Sequence, residues 1–61
     1  MYKTVREYAS TSAQWMGADP PDPVPPSDDH LWDLRGVVFV PETEGGWRLV
    51  WVWQRTYESR V

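Results

Sequence analysis

The chain has 61 residues, with six basic and nine acidic side chains, a net charge of −3, one histidine and no cysteine. These numbers exclude disulfides, thiolate metal sites and multi-histidine zinc sites, and the acidic balance argues against a protein that binds duplex nucleic acid through its phosphates. No apolar run reaches about 18 residues, so the sequence predicts no membrane span, and we expect a cytoplasmic protein.

The chain length predicts a single domain, residues 1–61, near the lower size limit for one hydrophobic core. Domains this small are usually stabilised by disulfides, a metal ion or a partner subunit. Because cysteine is absent and metal ligands are few, the sequence predicts a homo-oligomer.

The first predicted element is a strand over residues 1–9, in which β-forming residues alternate with charged ones, as at a sheet edge. A short helix over residues 10–16 is predicted next, because Ser10 or Ser12 is a suitable N-cap and Gly17 a suitable stop. We expect Trp15 and Met16 to pack this helix against the sheet.

Residues 18–29 contain five of the six prolines. Repeated X-Pro bonds favour extended polyproline II geometry, which predicts a stiff, proline-rich strap across the sheet. The alternative is a proline-rich ligand for an aromatic groove on another protein, although Pro23-Val24-Pro25-Pro26 lacks the basic neighbour that such ligands commonly carry.

Residues 31–57 are predicted to form a long β-hairpin at the centre of the fold, with Gly45 and Gly46 supplying positive φ in its turn. A four-residue loop from Glu42 to Gly45 pairs Val40 with Trp47, and a two-residue loop shifts the pairs by two without changing the faces. Either loop gives one apolar face, composed of Trp32, Leu34, Val38, Val40, Trp47, Leu49, Trp51 and Trp53.

The opposite face of this hairpin also carries large apolar side chains, namely Val37, Phe39, Val50 and Val52. One short helix and one strap cannot cover both faces, so one face is expected to meet a second copy of the chain. The predicted fold class is therefore mainly β (small α+β): a three-stranded antiparallel sheet with a long C-terminal hairpin, one short helix and a proline-rich strap, assembled as a homo-oligomer.

No set of residues in the sequence predicts catalysis, a metal or a cofactor. Ser27, Asp28, Asp29 and His30 are adjacent in a predicted loop, and adjacency in a loop does not provide the geometry of a catalytic triad. An Asp-Asp-His loop as a site for a hard cation is a weaker alternative, because such loops are usually solvated. The sequence predicts a protein that is not an enzyme.

Aromatic and arginine side chains are the best candidates for ligand binding, because aromatic rings stack and guanidinium groups recognise phosphates and carboxylates. Six candidates are Tyr8, Trp15, Trp32, Arg35, Arg48 and Arg55. In a cleft between subunits they would suit an anionic, nucleotide-like ligand. The alternative is structural, with tryptophans in the core and arginines paired with acidic neighbours.

Three short stretches resemble a group of small, uncharacterised bacterial and phage domains, whose pattern is a Tyr-Lys-x-Val strand, a Gly-Trp-x-Leu-Val strand and an aromatic-x-Arg close. The matching stretches are Tyr2-Lys3-Thr4-Val5, Gly46-Trp47-Arg48-Leu49-Val50 and Trp53-Gln54-Arg55. Those domains place a helix between the first strand and the Gly-Trp pair, where this chain has its prolines. The resemblance therefore carries over no functional residue.

In size and lack of catalytic residues, the chain is also similar to small phage proteins that block bacterial immunity. That similarity implies two functions. The first is sequestration of a small anionic immune signal, such as a signalling nucleotide, in clefts between subunits. The second is inhibition of a host defence or regulatory protein by direct binding, through a patch around Phe39 or the acidic strap. A phage-encoded protein would act in the cytoplasm of the host cell.

Overall fold

The computed structural model describes residues 1–60, which form one antiparallel sheet of three strands. The strands are β1 (Tyr2–Trp15), β2 (Asp33–Pro41) and β3 (Trp47–Arg60), and their order in the sheet is β1-β3-β2. The predicted mainly β class and the three-stranded antiparallel sheet are confirmed. No helix occurs among these residues, so none in this part of the chain is long and apolar enough to cross a membrane.

The central strand is β3, as the alternation of its tryptophans indicates. Leu49, Trp51 and Trp53 are buried and form the core, with Trp51 only 2% exposed. Their neighbours along the strand project to the other side of the sheet, because successive side chains of a strand alternate. We call the side that carries Trp51 the tryptophan face and the opposite side the open face.

The predicted helix over residues 10–16 is wrong, because residues 10–15 continue β1, which runs to Trp15. The burial pattern there has period two: Thr11, Ala13 and Trp15 are half-buried on the tryptophan face, and the side chains between them are exposed. Serine and threonine favour a helix only weakly, and so short a helix gains little from its own hydrogen bonds. Pairing with β3 supplies the hydrogen bonds instead, and the predicted strand over residues 1–9 is therefore too short.

The predicted hairpin register is wrong by one residue over most of β2. Pro41 pairs with Trp47 and Phe39 with Leu49, whereas an even-numbered loop would pair Val40 with Trp47. The loop has three residues, because the N–H of Gly45 bonds to the carbonyl of Glu42 and the N–H of Glu42 to the carbonyl of Gly46.

Three-residue hairpin loops commonly combine a tight turn with a residue of positive φ, and Gly45 and Gly46 have φ of 98° and 77°, as predicted. An odd loop exchanges the faces of β2, so Val37 and Phe39 lie on the tryptophan face and Val38 and Val40 on the open face. An irregularity between Leu34 and Gly36 then restores the predicted pairing of Leu34 with Trp53.

The proline-rich segment between β1 and β2 has no regular secondary structure, and a stiff strap is not confirmed. It contacts the sheet where the Thr11 hydroxyl donates a hydrogen bond to the carbonyl of Val24. Trp32, at the end of the segment, packs on the core. The predicted homo-oligomer stays a prediction, since the structure describes a single chain.

The sheet is long and narrow, with extents of 51 × 18 × 14 Å. Its radius of gyration is 15.0 Å, whereas a compact domain of this length has about 10–11 Å. The reason is that β1 and β3 pair from Tyr2 with Arg60 to Trp15 with Trp47, while β2 reaches only Gln54. Beyond Gln54 the protein is a two-stranded ribbon, residues 2–7 with 55–60.

Candidate functional site

Arg55 lies on the tryptophan face where the ribbon begins, and it is held by its neighbours. Its Nη1 donates to Glu7 Oε2 over 2.8 Å, and its guanidinium lies 4.2 Å from the centre of the Tyr57 ring. The Tyr57 hydroxyl donates to the other oxygen of Glu7, and this bond raises the pKa of Tyr57 above its ordinary value. For Arg55 the structure therefore agrees with the structural alternative, in which an arginine pairs with an acidic neighbour, and Glu7 and Tyr57 fix Arg55 in place.

Arg48 lies on the open face beside the hairpin turn. Its Nε donates to Glu42 Oε1 over 2.6 Å, and its Nη1 donates to the Ser12 hydroxyl over 3.3 Å. Because the carboxylate of Glu42 already neutralises it, Arg48 is the arginine of the open face least available to an anion.

Arg35 and Tyr8 lie on the open face on either side of Gln54. Arg35 Nε donates to Gln54 Oε1 over 2.6 Å, and Tyr8 is the direct cross-strand neighbour of Gln54 on β1. Tyr8 is 66% exposed. Arg35, unlike Arg48 and Arg55, has a neutral partner, so its remaining N–H donors and its full charge face solvent. The direct neighbour of Gln54 on β2 is Asp33, and Arg35 reaches Gln54 through its side chain. We call Tyr8, Gln54 and Arg35 together the Tyr8 row.

Trp15 and Trp32 are placed on the tryptophan face and serve the core. Trp15 meets Phe39 edge to face at 6.0 Å between ring centres, and its indole N–H is buried without a partner among the described residues. Trp32 Nε1 donates to Asp28 Oδ1 over 2.8 Å. This bond, together with one from the N–H of His30, holds the pKa of Asp28 below its usual range.

The six candidate residues are thus divided between two faces of the sheet. Tyr8, Arg35 and Arg48 are on the open face, and Trp15, Trp32 and Arg55 are on the other. Arg48 lies six residues along β3 from Gln54, which is about 20 Å in a strand. Only Tyr8 and Arg35 flank the same residue, Gln54, and within residues 1–60 no pocket and no cluster of metal-ligating side chains occurs.

The open face is more basic than the rest of the surface. Four of the six basic residues project from it, against three acidic ones, so it carries +1 in a chain of net charge −3. These residues are Arg6, Arg35, Arg48, Arg60, Asp33, Glu42 and Glu58. The other surfaces therefore carry −4, and the proline-rich segment holds four of their acids.

Gln54 and Arg6 belong to this surface, although neither is among the six candidate residues. Gln54 links Tyr8 to Arg35, and Arg6 is the next residue on the same face of β1. The period-two alternation that ends at Ala9 in the predicted strand continues to Trp15, and following it would have aligned β1 with all of β3.

We compared the chain with protein-family models, curated proteins and solved structures. No protein-family model, curated protein or solved structure matches the chain.

Proposed function

We propose that the protein is a non-catalytic binding protein that holds an acidic patch of a partner protein on its open face. The observation that carries this proposal is the Tyr8 row, in which an exposed tyrosine and an arginine with a neutral partner flank Gln54 on an uncovered, net basic surface. A flat sheet surface of this kind fits another protein better than it encloses a small molecule.

The chemistry of the row agrees with what is known of protein interfaces. Tyrosine and arginine are enriched among the residues that contribute most binding energy, because each offers a large, planar contact and hydrogen bonds. A basic face on an acidic protein also orients the molecule toward an acidic partner during approach. If the chain is phage-encoded, the partner is a host defence or regulatory protein.

A second candidate function is sequestration of a small anionic ligand at the same row. Tyr8 offers a ring on which a nucleotide base can stack, and Arg35 offers donors for a phosphate. A cleft between subunits would have to supply the enclosure that a flat face lacks. Both functions use Tyr8 and Arg35, and they differ in the mass of what binds.

The test compares two tyrosines that are equally exposed on the same face. Tyr8 is 66% and Tyr2 is 67% exposed, but Tyr2 lies at the far end of the ribbon, opposite Arg60. Immobilised wild-type protein, Tyr8→Ala, Arg35→Ala and Tyr2→Ala are incubated with extracts of a bacterial host. Retained proteins are quantified, and native mass spectrometry records any bound small molecule.

We expect one retained host protein whose amount falls at least about tenfold with Tyr8→Ala or Arg35→Ala and hardly changes with Tyr2→Ala. A ligand of a few hundred daltons that is lost in the same two variants would favour sequestration instead. If Tyr8→Ala and Tyr2→Ala retain everything that the wild type retains, the Tyr8 row is not the binding site.

A further inference from the structure

The most apolar strand of the sheet is also its most exposed. In β2, Val37, Val38, Phe39 and Val40 are between 42% and 52% exposed, although they alternate between the two faces. An uninterrupted apolar run of this kind is typical of a strand that is covered on both faces and paired on both edges. Here β2 is the last strand of the sheet, so one of its edges has no neighbour.

The opposite edge of the sheet shows how a free edge is usually protected. On β1, Lys3, Arg6 and Glu7 carry charges in the ribbon, and small polar residues such as Ser10 and Ser12 follow beside the core. Charges on an edge strand discourage pairing with another chain. Between Gly36 and Pro41, β2 has neither charged nor polar side chains, so this edge is apolar where the other is polar.

The hydrogen bond in the turn fixes which backbone groups of β2 face outward. Glu42 bonds to Gly46, and in an antiparallel pair every second residue is bonded in the same direction, so Val40 and Val38 bond to β3. The N–H and C=O groups of Val37 and Phe39 therefore lie on the free edge. Pro41 is also directed outward and has no N–H to leave unpaired, as suits an edge position.

We infer that the occupant of this edge is β2 of a second copy of the chain. The two strands are antiparallel and related by a two-fold axis that passes between the two copies of Val38. This register pairs Val37 with Phe39 of the second copy and Phe39 with its Val37. All four free N–H and C=O pairs are then used, giving four hydrogen bonds and two aliphatic–aromatic contacts. In a register centred on Phe39, the outward N–H of Val37 would bond to the C=O of Pro41 in the other copy. Pro41 has no N–H, so the C=O of Val37 would stay unpaired.

The charges at the two ends of β2 favour an antiparallel over a parallel arrangement. Asp33 and Arg35 stand at the start of β2, and Glu42 and Glu44 follow its end. An antiparallel pair keeps the glutamates of the two copies at opposite ends of the interface and brings Arg35 of each copy opposite Pro41 of the other, next to them.

The resulting dimer is one sheet of six strands with both open faces on the same side. The inference does not depend on the proposed function, since dimerisation requires no other molecule. It does give that function a geometry, because two Tyr8 rows would lie on one continuous surface.

The first test removes an outward N–H without touching the bonds to β3. Val37→Pro does this, and Val37→Thr is the matched control that keeps the N–H and the β-branched shape. Sedimentation velocity is recorded from roughly micromolar to millimolar protein, a range suited to a small interface.

We expect the 7.2 kDa wild-type chain to approach twice its mass as concentration rises, and Val37→Thr to do the same. Val37→Pro should raise the dimer dissociation constant at least about tenfold, because two hydrogen bonds are lost per dimer. Far-ultraviolet circular dichroism and amide protection of β3 verify that this variant keeps its sheet. A wild-type monomer throughout, or a folded Val37→Pro variant that dimerises normally, would overturn the inference.

The second test locates the axis, and it uses the absence of cysteine from the chain. In the inferred register the two copies of Val38 face each other as a non-hydrogen-bonded pair, with Cα atoms about 4.5 Å apart, which suits a disulfide. The two copies of Val40 are roughly 14 Å apart. Under mild oxidation Val38→Cys should cross-link within the dimer and Val40→Cys should not. Equal cross-linking of both variants, or cross-linking of Val40→Cys alone, contradicts the register.

Discussion

The two halves of β3 share one strand and one alternation of side chains, yet they are stabilised differently. From Trp47 to Trp53 the strand lies between β1 and β2, and Leu49, Trp51 and Trp53 are buried. From Arg55 to Arg60 it has β1 alone, and the same face carries Arg55, Tyr57 and Ser59. The difference teaches that the third strand, rather than the alternation itself, determines where an apolar core forms.

In the ribbon, polar contacts between side chains rather than apolar burial stabilise the pairing of the two strands. Two-stranded antiparallel ribbons are marginally stable in water. Here Glu7 binds both Arg55 and Tyr57, and Arg55 lies over the Tyr57 ring. Three side chains from two strands are thereby fixed at the base of the ribbon, next to the core.

The largest expected effect comes from emptying the core. Trp51→Ala should cost about 3–5 kcal/mol, which is most of the roughly 3–9 kcal/mol expected for a domain of this length. The matched control is Trp47→Ala on the same strand and face, where the side chain is 44% exposed and the cost should be clearly smaller. Urea denaturation followed by circular dichroism measures both, and equal costs would contradict the assignment of the core.

The next effect concerns the turn that sets the register of the core half. A Cβ on Gly46 would lie 2.7 Å from the carbonyl oxygen of Trp15, and Gly46 has φ of 77°, so Gly46→Ala should cost about 1–3 kcal/mol. Gly36→Ala is the control, because a Cβ there meets nothing within 4 Å. Thermal denaturation should show a lower unfolding midpoint than that of the wild type for Gly46→Ala and an unchanged one for Gly36→Ala. A normal midpoint for Gly46→Ala would mean that the turn has another conformation.

A smaller effect should be confined to the ribbon. Glu7→Ala removes the acceptor of both Arg55 and Tyr57, and since this pair is partly exposed the loss should be about 1 kcal/mol or less. Hydrogen exchange should accelerate for amides of the ribbon and stay unchanged for Leu49 to Trp53. Equal acceleration in both halves would show that they unfold as one unit.

The smallest effect is a titration. Because the bond to Glu7 raises the pKa of Tyr57 above 10, Tyr57 should ionise later in the folded protein than in the unfolded chain. Its contribution to stability is complete below about pH 10 and is lost as the pH rises through the folded pKa. Ultraviolet absorbance should show one late-ionising tyrosine that Glu7→Gln shifts to lower pH. A tyrosine unaffected by this change would contradict the contact.

Much of the fold could be predicted from alternation alone. The strand with Trp47, Trp51 and Trp53, the glycine turn and the three-stranded sheet all follow from residue type and spacing. The hairpin register could not be predicted, because β2 is apolar on both faces and either parity of the loop buries large side chains. The backbone conformation of the turn at Gly45 determines that the loop has three residues, and this sets the register.

The candidate site shows a similar limit. Residue chemistry identified Tyr8 and Arg35, which the structure places on either side of Gln54. It also grouped Arg55 and Trp15 with them, although these lie on the tryptophan face. The face of Arg55 follows from alternation along β3, but the face of Trp15 depends on how far β1 extends, and the predicted helix over residues 10–16 had interrupted that strand.

The register of β1 with β3 also determines the order in which the chain folds. Partners in β2 and β3 are 6 to 21 residues apart, whereas partners in β1 and β3 are 32 to 58 apart. Closing the longer loops costs more entropy, so the hairpin of β2 and β3 should form first and β1 should join it last. Until then one side of β3 is an open template, and a newly made chain has to complete its own sheet before another strand occupies that place.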